Sequence, residues 1–343
     1  MRAGNLLPLA NSHDAHKTLQ TRGMNRILIW LTRTIIALIG TLPLPLVARV
    51  GRVVGGLAFW LDARHRRVAL RNITEAFHGA MDEKQVREVA KENFRRIGEN
   101  YASAAKTATM SDLDLKPFFR IRNPEAIGGA AEHPRTSHVV AIGHFGNFEL
   151  YARFSMYVGG FKSATTYRAL PQPALNRLWQ GLRERSGCVF FERRADSNAL
   201  REAMGGEAMI LGLLADQHAG TRGPWLPFMG RPASSSSAPA IFALRYRASL
   251  RTAICYRTSL AHWEIEIGPE IATRENGHPR PVETITREIN AALEEAVRRD
   301  PANWFWVHNR WKDPPLAAPV PTPAPAEASV PPPTAPAPPP PAP

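Results

Sequence analysis

Apolar and polar positions along the chain fall into three regimes. The first is a nearly continuous apolar run, Ile27–Val47 (ILIWLTRTIIALIGTLPLPLV), long enough at about 20 residues to cross a bilayer. Arg33 near its middle and Pro43 and Pro45 toward its end argue against a simple span. A second apolar stretch, Val53–Leu61, has the character of an amphipathic helix lying along an interface. Core helices of a soluble protein would show the same pattern. A signal peptide does not fit, because the run begins late and no small-residue cleavage site follows it.

The second regime alternates. Asp82–Lys106 has a helical period, with Val86, Val89, Ala90, Phe94 and Ile97 on one face. Ser137–His144 is a short continuous apolar run, the pattern of a strand buried on both faces. Predicted helix Phe148–Tyr157, strand Ser163–Tyr167, helix Ala174–Arg185, strand Val189–Phe191 and helix Ser197–Met204 follow. Strand Ala208–Ala215 comes next, then helix Ala238–Arg247 behind a serine run placed to cap it. Strands Arg251–Tyr256 and Trp263–Ile267 and the amphipathic helix Pro281–Arg299 complete the series. This alternation predicts an α/β fold with a mainly parallel central sheet flanked by helices.

The third regime is Asp313–Pro343, which holds 15 of the chain's 31 prolines. Such a stretch has almost nothing to bury and favours extended polyproline II, so a disordered tail is expected. The chain therefore divides into a flexible N-terminus (1–24), membrane-anchoring helices (25–62), a main domain (63–312) and the tail (313–343).

Charge sharpens this picture. The net charge is +13, and the tail contributes two acids and no Lys or Arg. The rest is thus more basic still and calls for an acidic partner. Arginines flank the apolar run on both sides and cluster at Arg64–Arg71. No nucleic-acid motif accompanies them, so an anionic membrane fits better than nucleic acid. The two cysteines, Cys188 and Cys255, lack the spacing of a disulfide framework or metal site and read as buried thiols. No metal or cofactor is expected.

The sharpest chemical feature is Gly143-His144-Phe145-Gly146-Asn147-Phe148-Glu149. It sets a histidine where a buried strand ends, the place at which open α/β sheets bind ligands. An imidazole can take a proton from a hydroxyl near neutral pH, aided by a carboxylate on its other nitrogen. Glu149, five residues on, is the candidate carboxylate. No G-x-S-x-G elbow, H-E-x-x-H motif or P-loop is present, so the hydroxyl to be activated belongs to the substrate.

This box belongs to an ordered set. Tyr167-Arg168, Arg183 with Arg185, Leu214-Ala215-Asp216-Gln217 with Gly220, Pro227-Phe228-Met229-Gly230 before Pro232-Ala233-Ser234, and Trp306–Lys312 (WVHNRWK) follow it. Across roughly residues 25 to 312 the chain resembles the bacterial lipid A late acyltransferases, the lauroyl and myristoyl transferases, and their lysophospholipid acyltransferase relatives. It departs from them in serine at Ser234–Ser237, where threonine is usual, and in Asn309, where arginine is common.

The resemblance implies a thioester donor, an acyl–acyl carrier protein or acyl-CoA, and a hydroxyl on a lipid acceptor, a lipid A precursor foremost. It implies an enzyme on the inner membrane with its catalytic domain on the cytoplasmic face. His144 becomes the general base and Glu149 its orienting partner, with Arg168, Arg183 and Asp216 as substrate-binding or further active-site residues. Arg183 has two open roles, stabilising an oxyanion or gripping a phosphate. Arg168 either binds phosphate or pairs with an acid such as Glu192. Asp216, at the end of a buried strand, is expected to position a histidine or an arginine. His218 and His308 read as packed histidines, and Trp304–Trp306 as either a lipid-facing or a core cluster. Three other functions share these features: lysophospholipid or glycolipid acylation, hydrolysis without an acceptor, and non-catalytic binding to an anionic membrane.

Overall fold

In chain order the first strands are β1 (Phe119–Arg122), β2 (His138–Ile142), β3 (Lys162–Tyr167), β4 (Val189–Glu192) and β5 (Met209–Leu214). They are followed by β6 (Trp225–Phe228), β7 (Arg231–Ser234), β8 (Ser249–Ser259) and β9 (His262–Glu270). Two short pieces, β10 (Arg274–Glu275) and β11 (His278–Pro279), close the series. Seven of these strands make one sheet in the order β1-β9-β8-β2-β5-β3-β4, while β6 and β7 pair separately, as do β10 and β11. All neighbours in the main sheet are parallel except β8 and β9. The mainly parallel α/β expectation is thus met. β2 lies at the centre, and its HVVAI sequence is buried from Val139 onward.

The helices are α1 (Leu28–Thr41), then α2 (Leu44–Leu61), α3 (Ala63–Ala76), α4 (Glu83–Thr107) and the single turns α5 (Asp112–Leu115) and α6 (Glu125–Gly128). After them come α7 (Pro173–Arg183), α8 (Ser197–Gly205), α9 (Ala238–Tyr246) and α10 (Val282–Arg299). Two apolar clusters, one on each side of the sheet's strands, form the core. One gathers Val139, Ala141, Leu211, Leu213, Trp304 and Trp306, the other Val140, Ile142, Tyr151, Ile210, Trp263 and Ile265. The alternation of β2 and β5 residues between them is the period of two that a strand imposes.

This computed structural model describes residues 28–128, 136–221 and 223–312. The described residues belong to one unit ending at Lys312. Residues 1–24, the start of the anchoring segment and the Pro-rich tail 313–343 lie outside them.

Three local expectations are corrected. Ile27–Val47 is not one helix: α1 stops at Thr41 and α2 starts at Leu44 behind Pro43, because proline has no N–H to continue a helix and suits its first turn. α2 then absorbs Val53–Leu61. Phe148–Met156 is a 3-10 helix rather than an α-helix. Ser237 sits at the N-cap of α9 but makes no side-chain cap, and Ser234 and Ser235 donate their hydroxyls to the carbonyls of Gly220 and Ala233 instead.

α2 is apolar and long enough to cross a membrane, yet its two faces differ. Leu44, Val47, Ala48, Gly51, Gly55 and Phe59 are buried. Gly51 and Gly55 let the backbones of α2 and α4 touch at Gly98 and Phe94, where a Cβ would strike main-chain atoms. On the other face Val53, Leu57, Trp60 and Leu61 are 55–81% exposed. A buried ionic knot fixes the packed side. Glu99, fully buried, accepts from Arg52 of α2 at 3.1 Å, from Arg257 of β8 at 2.8 Å and from the Ala261 N–H at 3.0 Å. Three donors satisfy a carboxylate that burial alone would penalise.

Candidate active site

β2 and β5 are parallel neighbours with Ile142 opposite Leu214. His144 lies two residues beyond Ile142, and Asp216 two beyond Leu214, so the register of the sheet sets them side by side. The Ala215 N–H donates to the Ile142 carbonyl at 2.9 Å and carries the pairing one step past the strands. Asp216 then accepts three bonds of 2.9 Å each. The His144 backbone N–H and Trp304 Nε1–H donate to Oδ2, and His144 Nδ1 meets Oδ1.

Asp216 is fully buried. Burial pushes its carboxyl upward, but the adjacent His144 and the three hydrogen bonds outweigh that and hold it below the usual carboxylate range. An ionised carboxylate only accepts, so His144 Nδ1 is the donor in this bond, and Nε2 is the acceptor nitrogen of the neutral ring. Nε2 has no partner among the described residues. The ring packs edge-on against Phe148 at 4.8 Å between centroids and lies 5.9 Å from Phe305.

The expectation that Glu149 orients His144 is therefore corrected. Both Glu149 oxygens are engaged by Arg183, Nε donating to Oε2 at 2.9 Å and Nη2 to Oε1. A guanidinium offers a planar fork that matches two carboxylate oxygens at once, whereas His144 already has its carboxylate across the strand pair. Arg183 also lies over the rings of Trp179 and Phe190, at 5.7 and 5.3 Å. Three side chains, Glu149, Trp179 and Phe190, thus hold one guanidinium in place.

Glu149 and Arg183 line a largely apolar cavity. Val140, Ile142, Ile210, Gly212 and Leu214 of the sheet form one wall and Tyr151, Ala152 and Phe154 of the 3-10 helix the other. Phe148 lines this cavity and also a smaller cleft that holds His144, Tyr101 and Phe305. Phe148 thus borders both spaces. Tyr101 packs on Phe148 and Phe305. Burial first, and the nearby Glu149 second, raise its hydroxyl pKa.

The other expected residues fall as follows. Arg168 is exposed just past β3 and has no ion-pair partner among the described residues. Its alternative partner Glu192 instead accepts the N–H groups of Arg194 and Ala195 at 2.7 Å each. His218 donates its N–H to His308 Nε2 at 3.2 Å. Burial drives His308 down to about 4, so it is a packed neutral histidine. Trp304 and Trp306 are core residues, 1% and 0% exposed, while Phe305 is the one of the three beside His144. Cys188 and Cys255 are buried and unpaired.

Sequence reasoning missed Trp304 as a donor to Asp216, Tyr101 as a neighbour of Glu149, and Arg310. Arg310 is fully buried and donates to Ser234 O and, at 3.1 Å, to Ser235 Oγ. It ties the WVHNRWK motif to the serine run, which only the spatial contact reveals.

Comparison with known proteins supplies the family. Residues 15–313 match the model of the bacterial lipid A biosynthesis acyltransferases. The lipid A biosynthesis palmitoleoyltransferase of Escherichia coli K12 is 23% identical over 296 residues, spanning 84% of this chain and 92% of that protein. The lauroyltransferase of the same organism is 24% identical over 297 residues, spanning 85% and 94%. A Shigella flexneri lipid A biosynthesis acyltransferase is 23% identical over 296 residues. The chain is an acyltransferase and belongs to the bacterial lipid A biosynthesis acyltransferase family.

Proposed function

We propose that this enzyme transfers a fatty acyl chain from acyl–acyl carrier protein or acyl-CoA to a hydroxyl of a lipid A precursor, with His144 as general base. The observation that carries the reading is the buried Asp216 holding His144 Nδ1–H, which leaves Nε2 as a free acceptor. Nε2 takes the proton of the acceptor hydroxyl, the oxygen attacks the thioester carbonyl carbon, and the carbon–sulfur bond breaks. The departing thiolate recovers the proton from His144, giving an ester and a free thiol. No covalent enzyme intermediate is needed.

The apolar cavity suits the acyl chain. The thioester then lies near Glu149 and Arg183, and the fixed guanidinium is placed to stabilise the oxyanion that forms. Phe148, which borders both this cavity and the cleft that holds His144, lies where carbonyl and base have to meet. Arg168, exposed and free at the strand end, serves donor or acceptor phosphate. The exposed apolar faces of α1 and α2 hold the enzyme on the inner membrane with the basic body on its cytoplasmic side. The segment division proposed from sequence, with 63–312 as the catalytic domain, is retained. The direct test is to supply purified protein with each thioester donor and an underacylated lipid A precursor. Mass spectrometry should show one added acyl chain, and release of free fatty acid alone would overturn the transfer reading in favour of hydrolysis.

Glu149 and Arg183 are expected to act as one unit. Glu149→Gln and Arg183→Lys should each lower kcat and kcat/KM together by roughly 10²-fold, because each frees the guanidinium plane from its fixed position. The double variant should be little worse than either single one. Multiplying losses would show two separate roles, and a rise in KM alone would assign Arg183 to ground-state phosphate binding.

A further inference from the structure

Outside the active site, three arginines line one cleft between α1 and α7. Its walls are Ile29 and Arg33, one turn apart on α1, and Arg177, Leu178, Gly181 and Arg185 along α7 and the turn beyond it. The spacing of the second set, at steps of three and four, puts it on one helical face. None of the three guanidinium groups has an ion-pair or hydrogen-bond partner among the described residues, and no carboxylate lines the cleft. Arg33 is unusual in another way. It is the one charge in an otherwise apolar helix whose Trp30, Ile35 and Leu38 are 66%, 54% and 60% exposed, and a cation in such a segment generally marks a binding function. At the middle of the α7 wall, Gly181 has nothing within 4 Å of where a Cβ would stand. Glycine is a poor helix former, and here its effect is to keep the cleft open.

We propose that this cleft is a headgroup site for an anionic bilayer lipid. Arg33, Arg177 and Arg185 hold its phosphate, and Ile29 and Leu178 pack against the start of its chains. Phosphate recognition follows from guanidinium chemistry, since the planar fork binds two phosphate oxygens at once. A lipid, rather than a free anion, follows from the apolar part of the lining and from the uncovered apolar face of the helix that carries Arg33. Leu182 joins this cleft to a small pocket lined by Trp179, Arg183 and Glu149, so a lipid held here sits one helix face from the active site. The inference rests on the membrane-bound reading given above.

The test is binding of the full chain to phosphatidylcholine vesicles with and without a minor fraction of phosphatidic acid. Binding to the neutral vesicles checks the membrane-bound reading by itself. The preference for phosphatidic acid checks the cleft. Arg33→Gln with Arg177→Gln and Arg185→Gln should erase most of that preference, about a hundredfold for three phosphate-facing cations. The same number of exposed arginines removed elsewhere, Arg245, Arg247 and Arg287, should cost under about fivefold. Gly181→Trp keeps every charge, fills the cleft and improves helix propensity, so a folded variant should lose roughly tenfold of the preference by steric exclusion. An unchanged preference in the triple variant would overturn the proposal. So would loss in the triple variant but not in Gly181→Trp, which would mean diffuse attraction rather than a cleft. Inorganic phosphate or CoA that displaces the protein from phosphatidic acid vesicles as well as soluble phosphatidic acid does would overturn the lipid as occupant.

Discussion

Replacing His144 by asparagine is expected to lower acyl transfer by roughly 10²–10⁴-fold while the protein stays folded, the loss typical of removing a positioned general base. Asparagine is the informative choice because its amide N–H can replace Nδ1–H in the bond to Asp216 but cannot accept a proton. His144→Ala should be as inactive and less stable, because it leaves Asp216 buried with only the backbone and Trp304 donors, a deficit of about 1–3 kcal/mol. The pH dependence separates the two variants. Asp216 has a depressed pKa in the folded protein, so its stabilising contribution is present above the unfolded carboxylate value and is lost as pH falls through the folded one. Removing the imidazole raises the folded value, so His144→Ala should begin acid unfolding at a higher pH than wild type, and His144→Asn should shift less. Melting curves across pH, set beside turnover with one donor and acceptor, provide both readouts. Near-normal turnover in a folded His144→Asn protein would remove the base from the mechanism.

The sequence conveyed the strands and helices well where their apolar runs were long. β2, β5 and α4 each follow from a continuous or 3.6-residue pattern that no other packing would satisfy. β1 was hidden because FRIR is four residues at a sheet edge, too short to show a period, and β6 and β7 because their turn residues looked like loop. His144 could be picked out as the candidate base from its place at a strand end. Its partner could not, because nearness in sequence favoured Glu149, whereas nearness in space is set by strand pairing. The clue was available in principle. His144 and Asp216 each end a buried apolar strand at the same offset, and parallel strands in register bring equal offsets together. The order of strands across the sheet, with β5 rather than β3 beside β2, was the missing knowledge. Arg183 stood out in the sequence, but its pairing with Glu149 needed α7 to be placed beside the 3-10 helix. Arg33 read as an argument against a membrane span, and only the cleft it lines gives it a positive role.

Asp216→Asn should be nearly as damaging as loss of His144, roughly 10³–10⁴-fold in kcat by analogy with other Asp–His pairs, although it changes one atom. The carboxylate accepts three N–H groups, one at Oδ1 and two at Oδ2. An asparagine must put its amino group at one of these positions. At the Oδ2 position it would face the His144 backbone N–H and the Trp304 N–H, two fixed donors that cannot rearrange. It therefore takes the Oδ1 position and donates to His144 Nδ1. That bond requires Nδ1 to be the acceptor, so the imidazole proton moves to Nε2. In the proposed mechanism Nε2 takes the acceptor's proton, and in this tautomer it has no lone pair to do so. The fold should survive, since the side chain's shape and all three contacts are kept, and KM should change little because Asp216 is buried and cannot touch substrate. Nitrogen NMR of the labelled imidazole distinguishes the tautomers directly. Wild type should show the proton on Nδ1 and the variant on Nε2. A variant that is inactive yet keeps Nδ1 protonated would show that Asp216 acts by its charge alone, and one that is active with the proton on Nε2 would show that His144 is not the base.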